Sequence, residues 1–123
     1  MLINLSNHPS SLWGETQTSE ANVRFGEIID LPFPVVDPAG DEKYIQALVE
    51  EYIPKIQFLT HGSSRATVHI MGELTFTFAM VAALQKLGVK CLASTTNRIT
   101  TEENGLKTSE FRFVKFREYG KLQ

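Results

Sequence analysis

Apolar residues fall along this chain in short runs separated by longer stretches of a different period. The most ordered part is Ala66 to Arg98. It starts with the run Thr67-Val68-His69-Ile70-Met71, breaks at Gly72-Glu73, and continues through the almost unbroken apolar segment Leu74 to Leu87. After Gly88 a second short run follows, Val89-Lys90-Cys91-Leu92-Ala93, and it opens into the polar string Ser94-Thr95-Thr96-Asn97-Arg98. A short run, a long run and a short run, punctuated by glycine, predict strand, crossover helix and parallel strand.

The flanking pattern extends this unit in both directions. Leu2-Ile3-Asn4-Leu5-Ser6 reads as a strand with hardly any leader, stopped at Asn7-His8-Pro9-Ser10-Ser11, where proline removes a ladder donor and disfavours helix at the preceding residue. Gly14 to Arg24 is mostly polar, with Ala21, Val23 and Phe25 as a thin apolar face, and predicts a helix from about Thr18 or Ser19. Trp13 would cover that helix or wall a pocket. Glu27 to Leu31 is a compact second strand, and Pro32 to Pro38 runs extended. Asp41 is an N-cap with Glu42 in the first turn, and Tyr44, Ile45, Leu48, Val49, Tyr52 and Ile53 recur at helical spacing. Pro54 either ends this helix or kinks it before Ile56 to Leu59, and His61-Gly62-Ser63-Ser64 turns the chain. Beyond Arg98, Ile99 to Glu103 and Leu106 to Tyr119 flank Asn104-Gly105, a pair that favours a type I′ hairpin. Phe111 and Phe113 lie on one alternation while Val114 and Phe116 lie on the other, so either both faces are covered or a bulge shifts the phase. Gly120 to Gln123 is expected to be a frayed tail.

Strand, helix, strand, helix, strand, helix, strand and hairpin predict one α/β domain over residues 1–119. The architecture is a small Rossmann-like three-layer fold, with a mainly parallel sheet in the order 2-1-3-4 and a C-terminal antiparallel hairpin. The length of 123 residues suits one core and is short for two domains. A formal charge of -2 and a sequence pI of about 5.9 disfavour a binder of long nucleic acid. The single Cys91 excludes an intramolecular disulfide framework and suits a reducing compartment, so a cytoplasmic location is expected. No run approaches the ~18 apolar residues of a membrane span, and the start of the chain lacks the basic region of a signal peptide. A soluble, unprocessed protein with no membrane partner is the expectation.

In open parallel sheets, ligands bind beyond the carboxyl ends of the strands near the point where strand order reverses. Those ends would carry Ser6 to Ser11, then Gly72-Glu73-Leu74-Thr75, then Ser94 to Arg98. His8 there can exchange a proton near neutral pH, or simply brace a loop. His69, inside a strand, reads as packed or paired, and His61 falls at the opposite end of the sheet. Gly72 permits close approach of an anion to the next helix, or merely a tight turn. Glu73 can serve as a base, although the helix dipole already accounts for an acid in a first turn. Ser94, Thr95 and Thr96 offer donors to phosphate oxygens and Arg98 offers a fork suited to them, while such residues also simply make turns. Walker-type phosphate loop, dinucleotide fingerprint and zinc spacing are all missing, so neither a metal nor another cofactor is expected. Cys91 has no histidine partner in sequence to support thiol catalysis.

Leu5-Ser6-Asn7-His8-Pro9 after the first strand, Met71-Gly72-Glu73-Leu74-Thr75-Phe76 and Ala93-Ser94-Thr95-Thr96-Asn97-Arg98 together resemble the small Rossmann-like accessory proteins of type III CRISPR loci, over Met1 to about Tyr119. The resemblance implies kinship with the CRISPR-associated Rossmann fold domains that bind cyclic oligoadenylates, usually at a dimer interface. Small stand-alone members often act as ring nucleases. The implied reaction is metal-independent: a ribose 2′-hydroxyl attacks the adjacent phosphate and leaves a linear product ending in a 2′,3′-cyclic phosphate. On that reading His8, Glu73 and Arg98 form the catalytic set. Ser6, Asn7 and Ser11 orient ribose or adenine, while Gly72, Thr75, Ser94, Thr95 and Thr96 complete the ligand contacts in a homodimer. The alternatives are a sensor or sponge that holds the ring intact, and a ligand-free subunit-interaction module using the hairpin edge.

Overall fold

A computed structural model describes residues 1–63 and 65–122; Ser64 of the expected turn and Gln123 of the tail lie outside the described residues. The strands are β1 (Leu2–Ser6), β2 (Ile28–Asp30), β3 (Thr67–Met71), β4 (Lys90–Glu103) and β5 (Leu106–Glu118), and the helices are α1 (Glu15–Phe25), α2 (Glu42–Thr60) and α3 (Leu74–Lys86). They form one five-stranded sheet in the order β2-β1-β3-β4-β5, parallel except for the antiparallel β4-β5 hairpin. The strand order expected from the alternating pattern is the one observed.

The period of two along each strand divides the side chains between two layers. Ile3, Leu5, Val68, Ile70 and Cys91 point to the side covered by α2 and α3, where Val49, Tyr52, Ile56, Phe76, Met80 and Leu84 complete the larger core. Leu2 and Leu92 point to the other side and pack with Trp13, Ala21 and Phe116 beneath α1. On this second side the strands also carry Asn4, Ser6 and His69, all buried polar residues. The smaller core therefore gives way to polar groups towards the carboxyl ends of β1 and β3.

Local chemistry accounts for most boundaries. The Asp41 side chain accepts a hydrogen bond from the Tyr44 amide at 3.0 Å, which starts α2 where the capping pattern puts it. Pro54 does not end this helix. It is exposed, and the buried stripe Val49, Tyr52, Ile56 and Thr60 continues across it, so packing outweighs the lost hydrogen bond. Helix α1 begins at Glu15, earlier than the expected Thr18, because buried Gln17 as well as Ala21 faces the sheet. Gly72 owes its identity to packing: a Cβ there would collide with the Phe33 ring, which lies edge-on to Phe76 with centroids 5.2 Å apart. The tail is tied down through Leu122, where Gln85 accepts from Leu122 N at 2.9 Å and donates to the Gly120 carbonyl at 2.9 Å.

The largest departure concerns Ser94 to Arg98. This string is not a loop at the end of a strand but the middle of β4, paired residue by residue with β5 from Phe116 to Phe111. Pairing of β4 with β3 ends at His69↔Leu92, so the hairpin projects beyond the parallel sheet, and its side chains from Thr96 onward need no apolar alternation to stay paired. The two Phe alternations in β5 are reconciled by a bulge: Thr95 pairs with Lys115 and Thr96 with Phe113, leaving Val114 as the extra residue. This brings Phe113 and Phe116 to one face, with ring centroids 4.9 Å apart.

Candidate functional site

A cleft of about 830 Å³ opens where α1, the β1 and β3 ends and the hairpin meet. Its floor is built from side chains that the strand register sets side by side. Asn4 pairs with Asp30 on β2 and with His69 on β3, and His69 pairs in turn with Leu92, two residues before Ser94. All four polar side chains consequently form one row across the sheet.

The row is continuously hydrogen-bonded. Asn4 Nδ2 donates to Asp30 Oδ1 at 2.8 Å and to the His8 carbonyl at 2.9 Å. Both amide protons are thereby used, which orients Asn4 Oδ1 as an acceptor for Ser6 Oγ at 2.8 Å and His69 Nδ1 at 2.9 Å. The proton of neutral His69 must then sit on Nδ1, leaving the Nε2 lone pair to face Ser94 Oγ at 2.6 Å. Gln17 Nε2 donates to the same Ser94 oxygen at 2.9 Å, so the Ser94 hydroxyl hydrogen is free to point at His69. Trp13 Nε1 donates to the His8 carbonyl at 3.1 Å and holds the β1 loop over this row.

The electrostatics follow from this enclosure. Trp13 and Phe116 pack edge-to-face with the His69 imidazole at centroid distances of 5.3 and 5.7 Å. Burial, reinforced by repulsion from His8, pushes the His69 pKa down to about 4, so its neutral form prevails at pH 7. Burial raises the Asp30 carboxyl, but hydrogen bonds from the Asn4 and Ser10 side chains and the Ser10 amide outweigh it and hold the group below its usual value. Asp30 therefore anchors the row as a carboxylate.

Several residues expected at the site line this cleft: Ser6, Asn7, His8, Gly72, Ser94 and Thr96. Others lie elsewhere. Glu73 caps α3, its carboxylate accepting from the Phe76 amide at 2.8 Å and from the Thr75 amide at 3.0 Å. Those bonds, with the Thr75 hydroxyl, hold its carboxyl below the usual range. Glu73 and Thr75 line a separate depression beside Asp37 and Asp41. Arg98 reaches Ser109 Oγ through Nη2 at 3.3 Å, with its guanidinium 6.0 Å from the centre of the Phe111 ring. Thr95 Oγ1 stitches the bulge, donating to the Lys115 carbonyl at 3.1 Å and accepting from its amide at 3.2 Å. Ser11 sits exposed on a short 3-10 turn, Ser10–Leu12. Among the described residues, no three His, Cys, Asp or Glu side chains converge as metal ligands would.

Asn4, Gln17, Asp30 and the role of His69 were not legible as parts of a site. A signal for two of them was present: Asn4 interrupts an apolar strand and His69 interrupts another, and buried polar groups require partners. Only the register shows that each is the other's partner.

No helix among the described residues is long and apolar enough to cross a membrane. Comparison with curated proteins and with solved structures returns no significant match. A family model does match, over residues 1–117, and the chain belongs to that family, described as the Uncharacterized protein MJ1673 family.

Proposed function

We propose that this member of the MJ1673 family binds a cyclic oligoadenylate messenger in the cleft and cleaves it without a metal ion, so switching off type III CRISPR signalling, as the resemblance of its motifs implies. The observation that carries this reading is the meeting, in one cleft at the β1 and β3 ends, of two histidines, several hydroxyls and an aromatic wall. Phe111, exposed, and Phe113, half-buried, offer faces on which adenine rings can stack, with the buried Trp13 behind them as a wall. The first turn of α1 also borders the cleft, and its N-cap Gly14 brings no side-chain acceptor, which leaves backbone amides free for a phosphate oxygen.

The reaction asks for an in-line 2′-hydroxyl, donors on the developing charge and a proton source for the leaving 5′-oxygen. His8, exposed at the rim, suits the last task, and Asn7 and Thr96 suit ribose or phosphate. Glu73 takes no part in this version, because its carboxylate caps α3 and lines a separate depression, while Arg98 stands beside Ser109 and the cleft-lining Phe111 on the hairpin. A ring of repeated nucleotides fits a two-fold axis, so the working unit is a homodimer in which each subunit offers the same rim.

The test is incubation with cyclic oligoadenylates of several ring sizes, followed by separation of products. Linear oligoadenylate ending in a 2′,3′-cyclic phosphate is expected, with turnover unchanged by EDTA. His8→Ala should slow cleavage by at least tenfold while leaving ring affinity within threefold. Stoichiometric binding of an intact ring would replace the nuclease with a sponge, and failure to bind any ring would remove both. Loss of activity in EDTA, restored by a divalent ion, would overturn the metal-free chemistry.

A further inference from the structure

The row beneath the cleft has the arrangement required of an activated nucleophile: a hydroxyl on a base, the base on an orienting group, and the orienting group itself fixed. We propose that Asn4, His69 and Ser94 form a relay that makes Ser94 Oγ a nucleophile towards ester centres bound in the cleft.

Each link has a geometric reason. Ser94 is partly exposed and lines the cleft, so its oxygen is accessible, while His69 behind it is only 2% exposed. The 2.6 Å contact from Ser94 Oγ to His69 Nε2 lies within reach for proton transfer. Asn4 holds the tautomer that leaves Nε2 unprotonated, and it cannot turn over without placing its NH₂ against the protonated Nδ1 of His69 and its carbonyl against the Asp30 carboxylate. Asp30 Oδ1 accepts from Asn4 Nδ2 and so fixes the Asn4 amide with its carbonyl oxygen towards the His69 Nδ1–H. Asn4 and Asp30 are positioning residues, and Ser94 and His69 are the reacting groups. Gln17, in the first turn of α1, touches Ser94 Oγ and has a second amide hydrogen to offer a developing oxyanion.

In the step, Ser94 Oγ bonds to the electrophilic phosphorus or carbonyl carbon as its proton passes to His69 Nε2. The alkoxy group then leaves with the bonding electron pair and takes that proton. Water, deprotonated by the same Nε2, hydrolyses the Ser94 ester and regenerates the hydroxyl. No oxidant or further co-reactant is needed. The proposal does not depend on the ring-nuclease reading, since any ester small enough for the cleft would serve.

Two probes test it on the intact chain: an alkyl fluorophosphonate, whose P–F bond breaks as Ser94 Oγ bonds to phosphorus, and p-nitrophenyl acetate for an acyl centre. Peptide mass mapping should place an adduct of at least one probe on Ser94. A phosphonyl adduct alone assigns the site to phosphoryl esters, and an acetyl adduct alone assigns it to acyl esters. The adduct should be absent in Ser94→Ala, and its rate should fall at least a hundredfold in His69→Gln. Because a buried histidine can be needed for folding, the wild-type pH profile provides a second readout. Over the pH range in which circular dichroism shows the chain folded, labelling should be flat from pH 8 to about 6 and then fall with the unprotonated fraction of His69, to about half near its depressed value of about 4. Absence of any Ser94 adduct, or an adduct whose rate ignores both His69→Gln and acid, would overturn the relay.

Discussion

His69 shows how one side chain can be both a folding constraint and a chemical group. Its ring is enclosed by Trp13 and Phe116, and its pKa falls to about 4 from an ordinary 6.5. The unfolded chain therefore binds a proton that the folded chain refuses between these values. The stability contributed by the neutral ring is complete above about pH 6.5 and is lost as pH falls towards 4, by up to about 3 kcal/mol. Urea unfolding from pH 7.5 to 4.5 should show this loss, and His69→Gln should be less stable at pH 7.5 yet flatter across the range. Equal slopes in the two proteins would show that His69 is not the titrating group. Glu73 works in the opposite role: its lowered pKa comes from amide hydrogen bonds at the start of α3, which makes it a helix cap. An acid in the first turn was visible in the chain, but its direction was not. It turns inward to its own helix because the first-turn amides of Thr75 and Phe76 have no carbonyl partner within the helix and lie within reach of its carboxylate.

Among the elements, the segment leading from β2 to α2 does more than connect them. Phe33 stands between two prolines, and its ring rests on Gly72 and against Phe76, which locks the β3–α3 junction. Gly72→Ala should cost about 1–3 kcal/mol by overpacking against this ring. Gly72→Ala combined with Phe33→Leu should be more stable than the sum of the two single changes. Strict additivity in chemical denaturation would mean that the ring and the glycine are not coupled. In the hairpin, Asn104 and Gly105 have φ of 52° and 79°, the positive pair that a type I′ turn needs, so this turn was readable in the residues. The length of its first arm was not. Serine, threonine and asparagine suit turns and exposed strands alike, and β4 continues through Ser94 to Arg98 because β5 supplies a partner for each backbone group there.

On the proposed function, a two-fold symmetric ring asks for two copies of the rim, and so for a dimer. In such a dimer the hairpin, which projects from the sheet with Phe111 66% and Val114 49% exposed, supplies apolar side chains that a second copy would cover. Light scattering should then give twice the chain mass of 13.8 kDa. Val114→Ser should shift the protein towards monomer while weakening ring binding at least tenfold, without altering the Asn4–His69–Ser94 row. A monomer that retains full ring affinity would refute the dimeric site.

The order of strands and helices was carried by the residues themselves, because hydrophobic period and turn chemistry are local properties: a period of two, a period near 3.6, a capping Asp41, an Asn104-Gly105 turn. The opening run of the central unit, Thr67 to Met71, likewise announced a buried strand. What the chain could not disclose was which polar residue would face which. Asn4 and His69 stand 65 positions apart in sequence and 2.9 Å apart in space, and Ser94 is a further 25 positions on. Their meeting depends on parallel register, on the side of the sheet to which each side chain points and on the cover of α1. Those are long-range choices made by packing the whole apolar set at once, so only the tertiary structure decided that three scattered polar residues would become one hydrogen-bonded row.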